Sequence, residues 1–299
     1  MNHPFERILV GLDLTPMDDA LLAYLRLFSQ GDGAARVFFL HVSYASQLPV
    51  MAGGRYTRPQ PDFTPDASLL EALKDELRSR LDLDAYAGTI EVIEGTISRQ
   101  MLAYSEKHRV ELTILGKKKI SLGSGVAARR FLRSTTSSVL FVTEDAPRQI
   151  GHVVLACDFS DDSVLAMEKT LQWARTQAEP PRITLLNVYD VPPDMAARLS
   201  RTQGQYAHII RENVESFVPV FLEQFDTTGL HIEPLLIENT KNNAARHIVD
   251  TATDLQADLL VLGARGHSSL SSLFLGSVTE RVLTYNEQVP TLVVRPELV

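Results

Sequence analysis

Two matching nonapeptides fix the architecture of this chain. Arg7-Ile8-Leu9-Val10-Gly11-Leu12-Asp13-Leu14-Thr15 and His152-Val153-Val154-Leu155-Ala156-Cys157-Asp158-Phe159-Ser160 are each an apolar run that ends in Asp, followed two residues later by a hydroxyl side chain. A short continuous apolar run reads as a strand buried on both faces. Asp and a hydroxyl just after it are helix N-cap residues. A helical pattern follows each one, at 18–29 and at 161–177. Such self-similarity makes the chain two copies of one folding unit.

The copies stay in step. Second strands are read at 36–42 and 182–188, followed by Pro- and Gly-punctuated loops at 44–66 and 190–204 and helices at about 65–81 and 205–225. Third strands fall at 89–93 and 231–237, where Pro234 places the second of them at an edge or at a break. Third helices are read at 97–107 and 243–255, fourth strands at 112–115 and 259–262, fourth helices at 126–134 and 277–286, and fifth strands at 138–142 and 291–294. Alternation of apolar strands with helices predicts two doubly wound, mostly parallel five-stranded α/β sheets with helices on both faces. The short polar segment 144–149 divides the chain into domains 1–146 and 147–299, expected to pack as a pseudo-twofold pair.

One loop carries the chemistry. After the apolar run 257–262, Gly263, Arg265, Gly266, Gly276 and Ser277 lead into a helix beginning at Val278, a spacing of Gly-x2-Gly-x9-Gly-Ser. A glycine-rich turn between a strand and a helix N-terminus suits an anion, because unpaired N–H groups and the positive helix end face it. The spacing is neither a dinucleotide GxGxxG nor a Walker loop, and no Walker lysine is present. The competing reading is a Gly/Ser-rich loop without a ligand.

This motif, between a strand ending Val-Leu-Gly and the final strand 290–294, resembles the ATP-binding signature of universal stress proteins, and nearly the whole chain is similar to two tandem domains of that family. The resemblance implies an adenine nucleotide alpha hydrolase-like fold, with ATP or a related adenine nucleotide as ligand, with or without Mg²⁺. It carries the family's nucleotide positions onto Asp158, Val188, Gly263, Arg265, Gly266, Gly276, Ser277 and Val278. It also implies that the last strands of the two repeats, 139–142 and 292–294, meet, and it leaves a homodimer of chains open. Asp158 is implied at the adenosine or metal–phosphate end, with turn capping as its alternative role, and Arg265 would offset charge. No general base stands out, so binding in a stress-associated sensor or regulator is favoured over turnover. A slow metal-dependent ATPase and a nucleotide-free interaction module are the alternatives.

The N-terminal counterpart of the loop, 115–126, keeps Gly116 but has Lys119 at the position of the second glycine, and it is four residues shorter. It is therefore not expected to bind ATP in the family manner, although Asp13 and Val42 survive. Lys117, Lys118, Lys119, Arg129, Arg130 and Arg133 fall within 17 residues, read as a solvated face or as an acidic-partner site.

Charge and composition limit the other options. Net charge is −8, of which residues 1–146 contribute −1 and 147–299 contribute −7, which argues against general nucleic-acid binding. The single cysteine, Cys157, excludes an internal disulfide and a four-cysteine metal site. His267 and His247 read as surface residues. No apolar run approaches a membrane span, and the first residues lack a signal-peptide pattern, so the cytoplasm is the expected compartment.

Overall fold

The computed structural model describes residues 4–30, 35–43, 50–52, 55–57, 71–72, 75, 79, 88–118, 124–192, 202–266 and 275–296. The N-terminal repeat supplies strands β1 (Arg7–Leu12), β2 (Arg36–Ser43), β5 (Thr89–Glu94), β6 (Leu112–Lys117) and β7 (Ser138–Thr143). A two-stranded hairpin, β3 (Val50–Ala52) and β4 (Arg55–Thr57), sits in the stretch read as a long loop. Its helices are α1 (Met17–Phe28), α2 (Ile97–His108) and α3 (Ser124–Ser134). The helix read at 65–81 lies mostly outside the described residues; Glu71, Ala72, Asp75 and Ser79 within it are helical.

The C-terminal repeat supplies β8 (His152–Ala156), α4 (Asp161–Ala174), β9 (Arg182–Tyr189), α5 (Gln203–Leu222), β10 (Ile232–Glu238), α6 (Ala244–Asp254), β11 (Leu259–Gly263), α7 (Ser277–Tyr285) and β12 (Thr291–Val294). Local chemistry sets the helix starts. Ser160 caps α4, with Asp161 and Asp162 in its first turn, and Thr202 and Gln205 form a capping box on α5. Backbone strain repeats as well. The residue after each strand-end Asp, Leu14 or Phe159, takes a left-handed φ of 60° or 63°. The residues that end α2 and follow α6, Arg109 and Gln256, do the same at 50° and 51°.

The two predicted five-stranded sheets are present, but they are not separate. All ten strands form one sheet in the order β10-β9-β8-β11-β12-β7-β6-β1-β2-β5. Every neighbouring pair is parallel except β7 with β12, which run antiparallel through Thr291–Phe141, Leu292–Leu140 and Val293–Val139. Joining the repeats at their last strands leaves only β10 and β5 as edges. Pro234 lies on edge strand β10, where its missing N–H costs no ladder bond on the open side.

One apolar cluster spans both repeats. At its centre Phe28 of α1 stacks on Trp173 of α4, with ring centroids 5.0 Å apart. The two residues occupy matching positions in their repeats. The Trp173 indole donates to the Leu27 carbonyl at 3.1 Å. Among the described residues no helix is long and apolar enough to cross a membrane.

Candidate functional site

In each half the strand order places first and fourth strands side by side, with connections leaving in opposite directions. A crevice opens at the carboxyl ends of such a pair. In the C-terminal half these strands are β8 and β11, and a cleft of about 280 Å³ lies there. Its walls include Asp158 after β8, Val188 on β9, Gly263, Arg265 and Gly266 at and beyond β11, and Gly276, Ser277 and Val278 at the start of α7. All eight residues singled out in the sequence thus border one cavity. His267 lies outside the described residues.

The α7 end is shaped as a cradle. Gly276 occupies the N-cap position with φ −63° and, as glycine, has no side chain to cap the helix. Thr279, which could otherwise cover the first turn, points down and donates to the Gly263 carbonyl at 2.9 Å. The Gly276 N–H is tied to the Ala264 carbonyl at 2.8 Å, which locks the helix start against β11. Helix geometry gives the first-turn amides of α7 no partner within the helix itself.

The glycines serve close approach rather than unusual dihedrals; none of Gly263, Gly266 and Gly276 has a left-handed φ. A Cβ on Gly263 would sit 2.9 Å from the backbone of Asp162 in α4. One on Gly266 would collide with the Asp158 carboxylate, and one on Gly276 would press at 3.2 Å on the Ala264 carbonyl.

Asp158 does act as a turn cap: its Oδ1 accepts from the Ser160 N–H at 3.1 Å and from the Ser160 and Ser163 hydroxyls. The carboxylate is held through that oxygen, and Oδ2 lies on the Gly266 side.

Arg265 has a partner within the protein. Its guanidinium makes a two-pronged bond to Asp162, Nη2 to Oδ1 at 2.8 Å and Nε to Oδ2 at 3.1 Å, and its backbone N–H also donates to Oδ2 at 3.0 Å. Hydrogen bonding to Asp162 pushes the guanidinium further above its ordinary value. Arg265 therefore ties the loop to the first turn of α4 while lining the cleft. The sequence reading missed Asp162, because its partner lies 103 residues away.

Cys157 borders the same cleft but is buried, and burial pushes its thiol up to about 12. It is a packed side chain and not a nucleophile.

The N-terminal cleft is smaller and closed by different residues. It holds about 120 Å³ and is lined largely by apolar side chains, among them Met17, Leu40, Met101 and Leu115. Lys119 lies outside the described residues. Lys118, the counterpart of Arg265, bridges to Asp13 at 2.6 Å, and Met17 stands where the other repeat has Asp162. A Cβ on Gly116 would meet Met17 Cγ at 2.8 Å. Burial raises the Asp13 carboxyl, but hydrogen bonds from Lys118 and Thr15 and the lysine charge outweigh it and hold it below its ordinary value.

Three of the cluster's described cations have separate partners. Lys117 donates across the repeat boundary to carbonyls at the end of α7, Lys118 is paired with Asp13, and Arg133 is paired with Glu280 of α7. These cations hold the two halves together or close the first cleft.

The fold and the cleft define a class: a tandem doubly wound α/β protein with a glycine-lined crevice at the switch point of its second unit. The universal stress protein family model matches residues 4–142 and again 149–295. The chain belongs to the universal stress protein family. Each curated relative aligns with about half of it. The universal stress protein of the QAH/OAS sulfhydrylase 3′ region of Thermus aquaticus is 29% identical over 143 residues, covering 48% of this chain and 97% of the relative. A universal stress protein of Methanocaldococcus jannaschii is 28% identical over 144 residues, covering 48% and 81%. Over the full length, the crystal structure of a universal stress protein from Archaeoglobus fulgidus superposes with a TM-score of 0.64 at 15% identity, covering 99% of this chain and 97% of that one. That last likeness speaks for the fold.

Proposed function

We propose that the protein binds ATP or a related adenine nucleotide in the C-terminal domain, residues 147–299, and acts as a stress-associated sensor or regulator. The N-terminal domain, residues 1–146, serves as its structural partner through the β7–β12 junction. The observation that carries this reading is the glycine N-cap of α7 opening into a cleft at the β8–β11 switch point, lined by Asp158, Val188, Gly263, Gly266, Gly276, Ser277 and Val278.

In this reading the phosphates rest on the first-turn amides of α7 and on the Ser277 hydroxyl. Val188 and Ile248 offer apolar surface for the base. Arg265 and Asp162 keep the loop in place. Among the described residues no three His, Cys, Asp or Glu side chains gather as a metal site. A Mg²⁺ would therefore be shared between phosphates and a single carboxylate, Asp158, which suits the way Mg²⁺ is commonly held beside nucleotides.

Calorimetric titration with ATP and Mg²⁺ tests the reading. The wild-type chain is expected to bind. Gly266→Leu, which drives a side chain into Asp158, should weaken binding by roughly 100-fold, about 2.7 kcal/mol. Unchanged affinity in that variant would remove the loop from the site.

A further inference from the structure

The N-terminal loop lost the pattern of a ligand site, yet its first lysine reaches the other repeat. Lys117 closes β6, between Gly116 and Lys118, both of which border the N-terminal cleft. Its ammonium donates to the Leu283 carbonyl at 2.8 Å and to the Asn286 carbonyl, the last turn and C-cap of α7. A cation at that end satisfies orphan carbonyls and matches the helix dipole. The other end of this nine-residue helix is the anion cradle. Arg133 adds a second cross-link by pairing with Glu280 on the helix flank.

The arrangement is reciprocal. Arg295, just beyond β12, donates across the boundary to the Leu132 carbonyl at 2.7 Å. Leu132 in α3 and Leu283 in α7 are matching positions of the two repeats. Each closing helix is thus gripped near its C-terminal end by a cation from the other repeat. The grips differ in origin, since the position matching Lys117 is Ala264, whose carbonyl instead receives Gly276.

We propose that Lys117 is a positioning residue for the C-terminal cleft: by holding the C-terminal end of α7 it sets the cradle at the helix start, and so couples the degenerate N-terminal loop to nucleotide affinity. The coupling rests on the nucleotide reading of that cleft; the grip on α7 does not. A short helix moves as a rigid body, so slack at one end is felt at the other.

Burial pushes the Lys117 ammonium down from its usual range to about 8, against the attraction of Glu287 and with a smaller push from Arg129. Those two, with the Leu283 and Asn286 carbonyls, are the groups that face it. The grip therefore weakens as pH passes through about 8, above the second ionisation of phosphate, near 6.

Two measurements on the full chain test this. Hydrogen exchange compares the wild type with Lys117→Met at one pH. Exchange should quicken at the last turn of α7 and also at the hydrogen-bonded amides of its start, Gly276 and Glu280. ATP titration at pH 7 and pH 9 then compares both with Lys117→Arg, which stays charged throughout. At pH 7, Lys117→Met should bind roughly 3- to 30-fold more weakly. The wild type should weaken between pH 7 and pH 9, whereas Lys117→Arg should hold its affinity across that range. Unchanged exchange at Gly276 and Glu280 in a folded Lys117→Met variant overturns the proposal whether or not ATP binds. Normal exchange effects with no ATP binding by the wild type would instead overturn the nucleotide reading and keep the grip. Binding by all three proteins with equal affinity and equal pH dependence would overturn the coupling alone.

Discussion

Asp162 and Arg265 show how one pair of side chains can shape a site without entering it. The carboxylate receives three hydrogen bonds from Arg265, one of them from the backbone, and both side chains are largely buried. Asp162→Ala would leave a guanidinium unpaired at the cleft wall and should cost about 2–3 kcal/mol in urea denaturation, with weaker nucleotide binding. Cys157 makes the opposite point, since it borders the cleft but its thiol is held near 12. It should resist alkylation at pH 8 until the chain unfolds, and rapid labelling of the native protein would contradict its burial. For Lys117, the folded value of about 8 lies below the ordinary 10.5. Between these values the unfolded chain holds more protons, so this group makes stability rise with pH across that window. Lys117→Met should remove that component, as read from denaturation midpoints at pH 7.5 and pH 10.

At the scale of elements, most strands and helices were legible, because buried parallel strands leave continuous apolar runs and caps leave Ser, Thr and Asp at fixed offsets. The edge position of β10 followed from Pro234. The spacing Gly263, Gly266, Gly276 and Ser277 marked the cradle. These residues are glycine because α4, Asp158 and the Ala264 carbonyl come within a Cβ's reach, not because the dihedrals demand it. Pairings between distant residues were not legible. Asp162 with Arg265, Lys118 with Asp13 and Lys117 with α7 all join residues more than 100 positions apart. A run of lysines in sequence looks like one patch, whereas the fold sends Lys117 and Lys118 to different partners.

At the scale of the molecule, the continuous ten-stranded sheet and the shared core make the two repeats one structural body. Trp173, stacked on Phe28 and bonded to Leu27, sits where the repeats press together. Trp173→Ala should cost about 3–5 kcal/mol, and a single cooperative unfolding transition should remain if the halves fold together. Against that near-symmetry the clefts differ, about 280 Å³ beside α7 and about 120 Å³ beside α3, the latter bridged by Asp13 and Lys118. The account turns on this asymmetry, and photoaffinity labelling with an azido-adenine nucleotide followed by peptide mapping reads it directly. It predicts one label per chain, in peptides carrying Val188 or Ile248, lost in Gly266→Leu and kept in Lys118→Met. Label in peptides carrying Val42 or Met101, or label that survives Gly266→Leu, would contradict it.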